Sequence, residues 1–457
     1  MNMEQLEAPV PDGAPHGVWS INTERLPSGE LCVAGVPVGQ IAQEFPTPRF
    51  VLDANDARSR ARAWKEAMDQ AFADLAGAHV YYAGKAFLSK AFARWMYEEG
   101  LHIDTASEGE LVTALAGGVP GSACGLHGNN KSRAEIERAL REGVAHIVVD
   151  SLAELEFVNV VAQENNAVAP IYLRLTTGVH AGGHEFIATA HEDQKFGLSV
   201  TTGVARQAMA RAHELENVQL IGLHSHIGSQ ISATEGFAQA AQVIFEERVW
   251  AHEQGIAINE IDLGGGYGIR YTAADDIAPS PREFARILAQ VVREHVEKTG
   301  LPAPLVSIEP GRSIVAPAMF TLYTVGTVKD VAIDSGVRTY VSVDGGMSDN
   351  IRPALYEADY TAALAARNSQ APTQRCRVVG KHCESGDIVV RNVALPSDIH
   401  AGDLLAVPAT GAYGRAMASN YNMLPRPGVV AVEDGVLTEL IRSESIDDLL
   451  ALDQDQQ

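Results

Sequence analysis

Cysteine is scarce in this chain. There are four, Cys32, Cys124, Cys376 and Cys383, in 457 residues, and none forms a CxxC pair. That excludes a disulfide framework and makes a reducing cytoplasm the default compartment. Positive charge also runs short. Against 58 Asp and Glu there are 35 Lys and Arg, a net charge of -23. Neither a polyanionic partner such as nucleic acid nor an anionic membrane surface is expected. No apolar run is long enough to span a bilayer. The opening, MNMEQLEAPVPDGAP, has no basic n-region and no apolar h-region, so no signal peptide is expected. Internal repeats and low-complexity tracts are absent as well.

Hydrophobic residues make up 46% and charged residues 20%, which suits a globular protein with a sizeable core that handles small molecules. The length exceeds one ordinary domain. Residues 1–48 are rich in Pro and Gly, with short apolar pieces such as Leu31-Cys32-Val33-Ala34. They read as loop and strands that join a β domain. From 49 to 316 strand and helix alternate. Short apolar runs at 80–83, 102–105, 123–126, 146–149, 171–175, 219–224, 260–263 and 305–308 are the expected strands. Four helix starts carry a Ser with a Glu three residues on: Ser107/Glu110, Ser132/Glu135, Ser151/Glu154 and Ser280/Glu283. Eight such units predict an α/β fold, a (β/α)8 TIM-type barrel, over a doubly wound open sheet. From 317 to 457, strand-like runs broken by Gly, Pro and Asp predict a C-terminal all-β domain, a sandwich or barrel joined by the N-terminal strands.

The polar residues at the expected strand ends are the candidates for chemistry. The first strand runs into Gly84-Lys85. A lysine at the end of an apolar strand is a poor packing choice, because a buried ammonium is expensive to desolvate. Partial burial would lower its pKa and free an amine to form a Schiff base. Taken alone, Lys85 also fits a side chain snorkelling to water. Gly264-Gly265-Gly266 after the seventh strand suits a backbone cradle for an anion, or simply a tight turn. His226 fits a core histidine, and Glu309 beside Pro310 fits a turn cap. Together they make one apparatus: an amine for an aldehyde, a cradle for its phosphate, an imidazole for the face of a flat ring and a carboxylate for a ring nitrogen. That is a way to hold pyridoxal phosphate.

The motifs YAGKA, HGNNK, HSHIGSQ, DLGGG, EPGR, DGGMSDNIRPALY, GKHCESGD and GAY, in this order, resemble the diaminopimelate decarboxylase family, from about Phe50 to near the C-terminus. The family is of the alanine-racemase-like barrel class of pyridoxal-phosphate enzymes. The resemblance implies that Lys85 holds the cofactor, His226 stacks on its ring and Glu309 pairs with the ring nitrogen. Gly265, Gly266, Ser229, Pro310, Gly311 and Arg312 would surround the phosphate. Arg312, Arg352, Tyr356 and Glu384 would contact substrate, and Tyr413 both cofactor and substrate. Cys383 would donate a proton from the partner subunit of a homodimer with shared sites. The implied reaction is decarboxylation of meso-2,6-diaminopimelate to L-lysine, the last step of lysine biosynthesis, with no metal.

The residue types fit that reaction. A thiol can return a proton to the carbon that loses carbon dioxide. Cys383 could also be a small buried hydrophobe, but its neighbours His382, Glu384, Ser385 and Asp387 are polar. Two guanidinium groups, Arg312 and Arg352, suit a distal carboxylate, which ornithine and lysine lack. The alternatives are a decarboxylase for another amino acid or polyamine precursor, and a non-catalytic cofactor carrier that would not need Cys383, Glu384 or Tyr413.

Overall fold

The computed structural model describes residues 3–179, 195–334 and 336–454. The chain divides into two compact units. One comprises Arg60–Gly268 and Ala278–Arg312; the other comprises Met1–Ser59, Ile269–Ile277 and Ser313–Gln457.

The first unit is a closed parallel barrel. Its strands are β1 (Ala78–Ala83), β2 (His102–Thr105), β3 (Cys124–Leu126), β4 (His146–Val149), β5 (Ala169–Thr176), β6 (Val218–Ser225), β7 (Glu260–Asp262) and β8 (Leu305–Ile308). Each pairs with the next in parallel, and β8 returns to β1 through Val306–Ala78 and Ile308–Val80. The predicted TIM-type barrel is the fold observed. All eight strands lie within a few residues of the expected runs, because burial on both faces demands near-continuous apolar segments. Part of the interior is aromatic and polar rather than aliphatic. His146 stacks on Tyr172 with centroids 3.9 Å apart, and Tyr81 meets both His102 and His146 edge-on.

The four expected capping boxes divide into two kinds. Each serine accepts from the backbone N–H three residues on. Only Glu135 and Glu283 reach back to complete the box. Glu110 accepts from Ala106 N at 2.7 Å, and Glu154 from Asp150 N at 2.7 Å. Each thereby ties the first turn of its helix to the residue just past the preceding strand, β2 or β4. Among the described residues no helix is long and apolar enough to cross a membrane.

The second unit is rich in sheet. Its main path runs Ile388–Pro396, Thr373–Val379, Gly336–Val343, Met319–Ile333, Arg49–Asp53, Val429–Glu433 and Val436–Ile441. Arg49–Asp53, assigned above to the barrel segment, instead pairs antiparallel with Met319–Leu322 and parallel with Val429–Val432. The unit boundary falls eleven residues later than expected, at Ser59 rather than residue 48, inside the helix Ala54–Ala71. A Phe-Val-Leu run looks alike in either sheet, and its partners lie hundreds of residues away. The earlier strands Thr23–Arg25, Leu31–Val33 and Val36–Pro37 form their own small antiparallel sheet. They join the β unit by packing: Leu31, Val33 and Val36 share a core with Val51, Phe320, Leu322 and Val430.

Candidate active site

The residues predicted on the barrel converge at its C-terminal strand ends. Lys85 follows β1 in a short 3-10 turn, Gly84–Ala86. A Cβ on Gly84 would sit 2.8 Å from the carbonyl oxygen of Asp104, so glycine here permits the close approach of β2. Beyond the turn, Tyr82 Oη donates to Phe87 O at 2.7 Å and pins the chain's path. The burial expected of Lys85 is not observed. It is exposed, and its ammonium makes no hydrogen bond or ion pair among the described residues. It lines a cavity of about 130 Å³ together with His226, Glu309, Asp104, His127 and Arg174.

Glu309 sits at the end of β8, 3% exposed. His224 Nε2 lies 2.8 Å from its Oε1, and His127 Nε2 3.5 Å from the same oxygen. Burial alone would raise its pKa. The two imidazoles outweigh burial and hold Glu309 well below the usual carboxylate range. Its neighbours go the other way. Burial, then the charge of Glu309, pushes Asp104 and Asp262 well above theirs. Of three buried carboxyl groups, Glu309 is therefore the one most readily ionised, and His224 Nε2 is then the donor to it.

His226 is held well below the usual histidine range, first by burial and then by Lys85 and Arg174, so its ring is neutral. Its Nδ1 accepts from Gly265 N at 3.3 Å, which places the proton on Nε2. The glycine run has a steric cause. A Cβ on Gly264 would strike Ser225 O, one on Gly265 would strike Glu309 O, and one on Gly266, at φ +114°, would strike Gly228 O. Glu309 N donates to Gly264 O at 2.9 Å, and Ala83 N to Pro310 O at 3.4 Å, lacing β8 to β7 and to β1. The N–H groups of Gly266 and Gly311 find no acceptor among the described residues. Arg312 Nη2 donates to the hydroxyl of Ser229 at 2.8 Å. An amine, an ionised carboxylate, a neutral imidazole and free amide donors make a set that fits a flat aldehyde ring with an anionic arm.

The remaining predicted residues lie in the β unit. Arg352 is buried; its guanidinium donates to Tyr360 Oη and lies 4.8 Å from the Tyr271 ring centroid. Tyr356 is exposed, and Tyr413 is half-buried with φ +60°. Cys383 and Glu384 are both exposed on one loop, where Glu384 accepts from Gly386 N at 3.1 Å.

Sequence reasoning did not single out His224, His127, Asp104 and Arg174, which the fold brings to the same cavity. His224 and His127 stand inside HSHIGSQ and HGNNK, and Asp104 inside the expected strand 102–105. Arg174 also left a signal, a lone cation in the apolar run of β5; it stacks 4.5 Å from Phe196.

Comparison with known proteins agrees with this geometry. Residues 55–316 match the family model for the pyridoxal binding domain of the pyridoxal-dependent decarboxylases. The diaminopimelate decarboxylase of Mycobacterium tuberculosis is 49% identical over 445 residues, covering 95% of this chain and 97% of that one. That of Bacillus subtilis is 43% identical, covering 93% and 95%. Among solved structures, a diaminopimelate decarboxylase from M. jannaschii in complex with L-lysine superposes with a TM-score of 0.89 at 29% identity, covering 96% and 98%. Barrel and sheet-rich second unit thus agree with full-length likeness: the chain belongs to the diaminopimelate decarboxylase family of pyridoxal-dependent decarboxylases.

Proposed function

We propose that this protein decarboxylates meso-2,6-diaminopimelate to L-lysine with pyridoxal phosphate bound at the barrel mouth. The observation that carries this reading is the meeting of Lys85, His226 and Glu309 on one cavity, in a chain alike over nearly its whole length to diaminopimelate decarboxylases. When bound, the cofactor supplies a sink for the electrons left by departing carbon dioxide. Lys85 holds it through its amine. Glu309, kept anionic by His224 and His127, offers a full charge to a protonated ring nitrogen. His226, neutral and tied to Gly265, presents its ring face. Gly265, Gly266, Ser229, Pro310, Gly311 and Arg312 form the phosphate end.

Substrate selection rests on the β unit and Arg312. Arg352, braced by Tyr271 and Tyr360, presents a guanidinium fixed for a carboxylate. Glu384 suits the distal ammonium, and Tyr356 and Tyr413 complete the contacts. Cys383 returns a proton to the reacting carbon. Carbon dioxide release should be fastest from diaminopimelate when it, ornithine and arginine are supplied separately with cofactor. Faster release from ornithine or arginine would overturn the substrate.

Cys383 and Glu384 act across the interface of a symmetric homodimer. Their exposure, with Tyr356 58% and Met423 56% exposed in the same unit, supports a partner surface. Lys85→Ala protein mixed with Cys383→Ala protein should regain part of the activity. No regain despite proven subunit exchange would refute shared sites.

A further inference from the structure

The loop that bears Cys383 is a hairpin connection between strands Thr373–Val379 and Ile388–Pro396. Its base is fixed internally. The Asp387 carboxylate accepts from His382 N at 2.8 Å and from Met347 N at 2.6 Å, and Asp387 is 2% exposed. None of these bonds reaches Cys383 itself. That contact comes from a distant segment, the turn Tyr421-Asn422-Met423.

Asn422 Oδ1 accepts from the Cys383 main-chain N–H at 3.1 Å and lies 3.2 Å from His382 Nδ1. A main-chain N–H can only donate, so the asparagine atom that faces it is the carbonyl oxygen. His382 Nδ1 must then carry the proton. Its Nε2, 2.8 Å from Ser348 Oγ, is left to accept from that hydroxyl. The Tyr421 ring stacks on the same imidazole, with centroids 5.2 Å apart and planes 23° from parallel. Asn422 and Met423 are both left-handed, with φ 53° and 58°. Two such residues in succession persist only where their surroundings hold them, a pattern typical of functional sites.

We propose that Asn422 is a positioning residue: through Cys383 N and His382 it fixes where the Cys383 thiol stands, and so sets how efficiently that thiol returns its proton. The inference rests on the reading of Cys383 as proton donor. Placement matters because an error of about 1 Å in a reacting group can lower a rate on the order of a hundredfold.

Cys383 is the one exposed cysteine of the four in the single chain, and a thiol that serves a substrate site stays open to small reagents, so iodoacetamide reports it in the substrate-free holoenzyme. Glycine adopts the left-handed conformation without strain, so Asn422→Gly removes the side chain and spares the turn. It should lower kcat about tenfold to a hundredfold, with KM changing far less. Alkylation of Cys383 should change in rate by up to about tenfold, the factor that one ordinary hydrogen bond represents. Asn422→Asp keeps the acceptor and adds a charge. It should restore most of kcat while moving the pH profile of alkylation upward, because a nearby carboxylate disfavours the thiolate. A role confined to supporting the fold would leave the alkylation rate of Asn422→Gly unchanged. If both variants alkylate with the rate and pH profile of the unaltered protein, the positioning role is wrong. Normal turnover in Cys383→Ala would remove the donor role and the catalytic half of the proposal, while the alkylation data would still decide whether Asn422 sets the thiol's place.

Discussion

Lys85→Ala should abolish turnover without weakening the fold. The two halves of that result have separate causes. The amine is the group that bonds the aldehyde of pyridoxal phosphate, and losing a residue of covalent catalysis lowers rates on the order of 10⁴-fold or more. The same side chain is exposed and makes no hydrogen bond or ion pair among the described residues. Substitutions at such positions stay within about 0.5 kcal/mol, a shift in Tm of no more than about 2 °C for a unit of this size. Turnover and thermal unfolding of the cofactor-free variant check both halves. Borohydride treatment of the unaltered protein should fix the cofactor on Lys85. A reduced cofactor found on another lysine would refute the assignment.

The second large effect is expected at a lysine with the opposite surroundings. The Lys131 side chain is 1% exposed. Its Nζ donates to Gly128 O at 2.6 Å, to Val148 O, and to Glu154 Oε1 at 3.1 Å. Three protons thus meet three acceptors. Glu154 also accepts the main-chain N–H groups of Lys131 and Asp150. The ammonium ties the loop after β3, next to His127, to the end of β4 and the start of the following helix. Lys131→Met fills similar volume but leaves a buried carboxylate uncompensated. Breaking such a pair costs about 3–5 kcal/mol, which corresponds to a loss in Tm on the order of 10 °C. Adding Glu154→Gln removes the stranded charge and should recover part of the loss. A fall below about 2 °C in the single variant would mean that water reaches this ammonium.

These two lysines show what a sequence reveals here and what it withholds. The eight barrel strands were legible because each had to be short, apolar and buried on both faces. The gathering of Lys85, His226 and Glu309 followed from topology, since a barrel turns all its strand ends to one side. Burial was not legible. Lys85 looked enclosed and is exposed, while Lys131, in a polar HGNNK run, is enclosed. Charge state was equally hidden. Which of Asp104, Asp262 and Glu309 ionises most readily depends on burial, on their mutual repulsion and, for Glu309, on imidazoles from strands far apart in the chain. The strand Val436–Ile441 escaped notice because it is mostly solvated and lacks a clear apolar face.

The sheet-rich unit holds Arg49–Asp53 between Met319–Ile333 and Val429–Glu433. During synthesis that early strand emerges hundreds of residues before either of its neighbours. The barrel unit, complete at Arg312, is finished while Arg49–Asp53 still waits with unpaired edges. The second unit therefore cannot close before the last strands leave the ribosome. A chain cut short ahead of Val429 would keep a whole barrel and carry an apolar, half-paired strand open to aggregation.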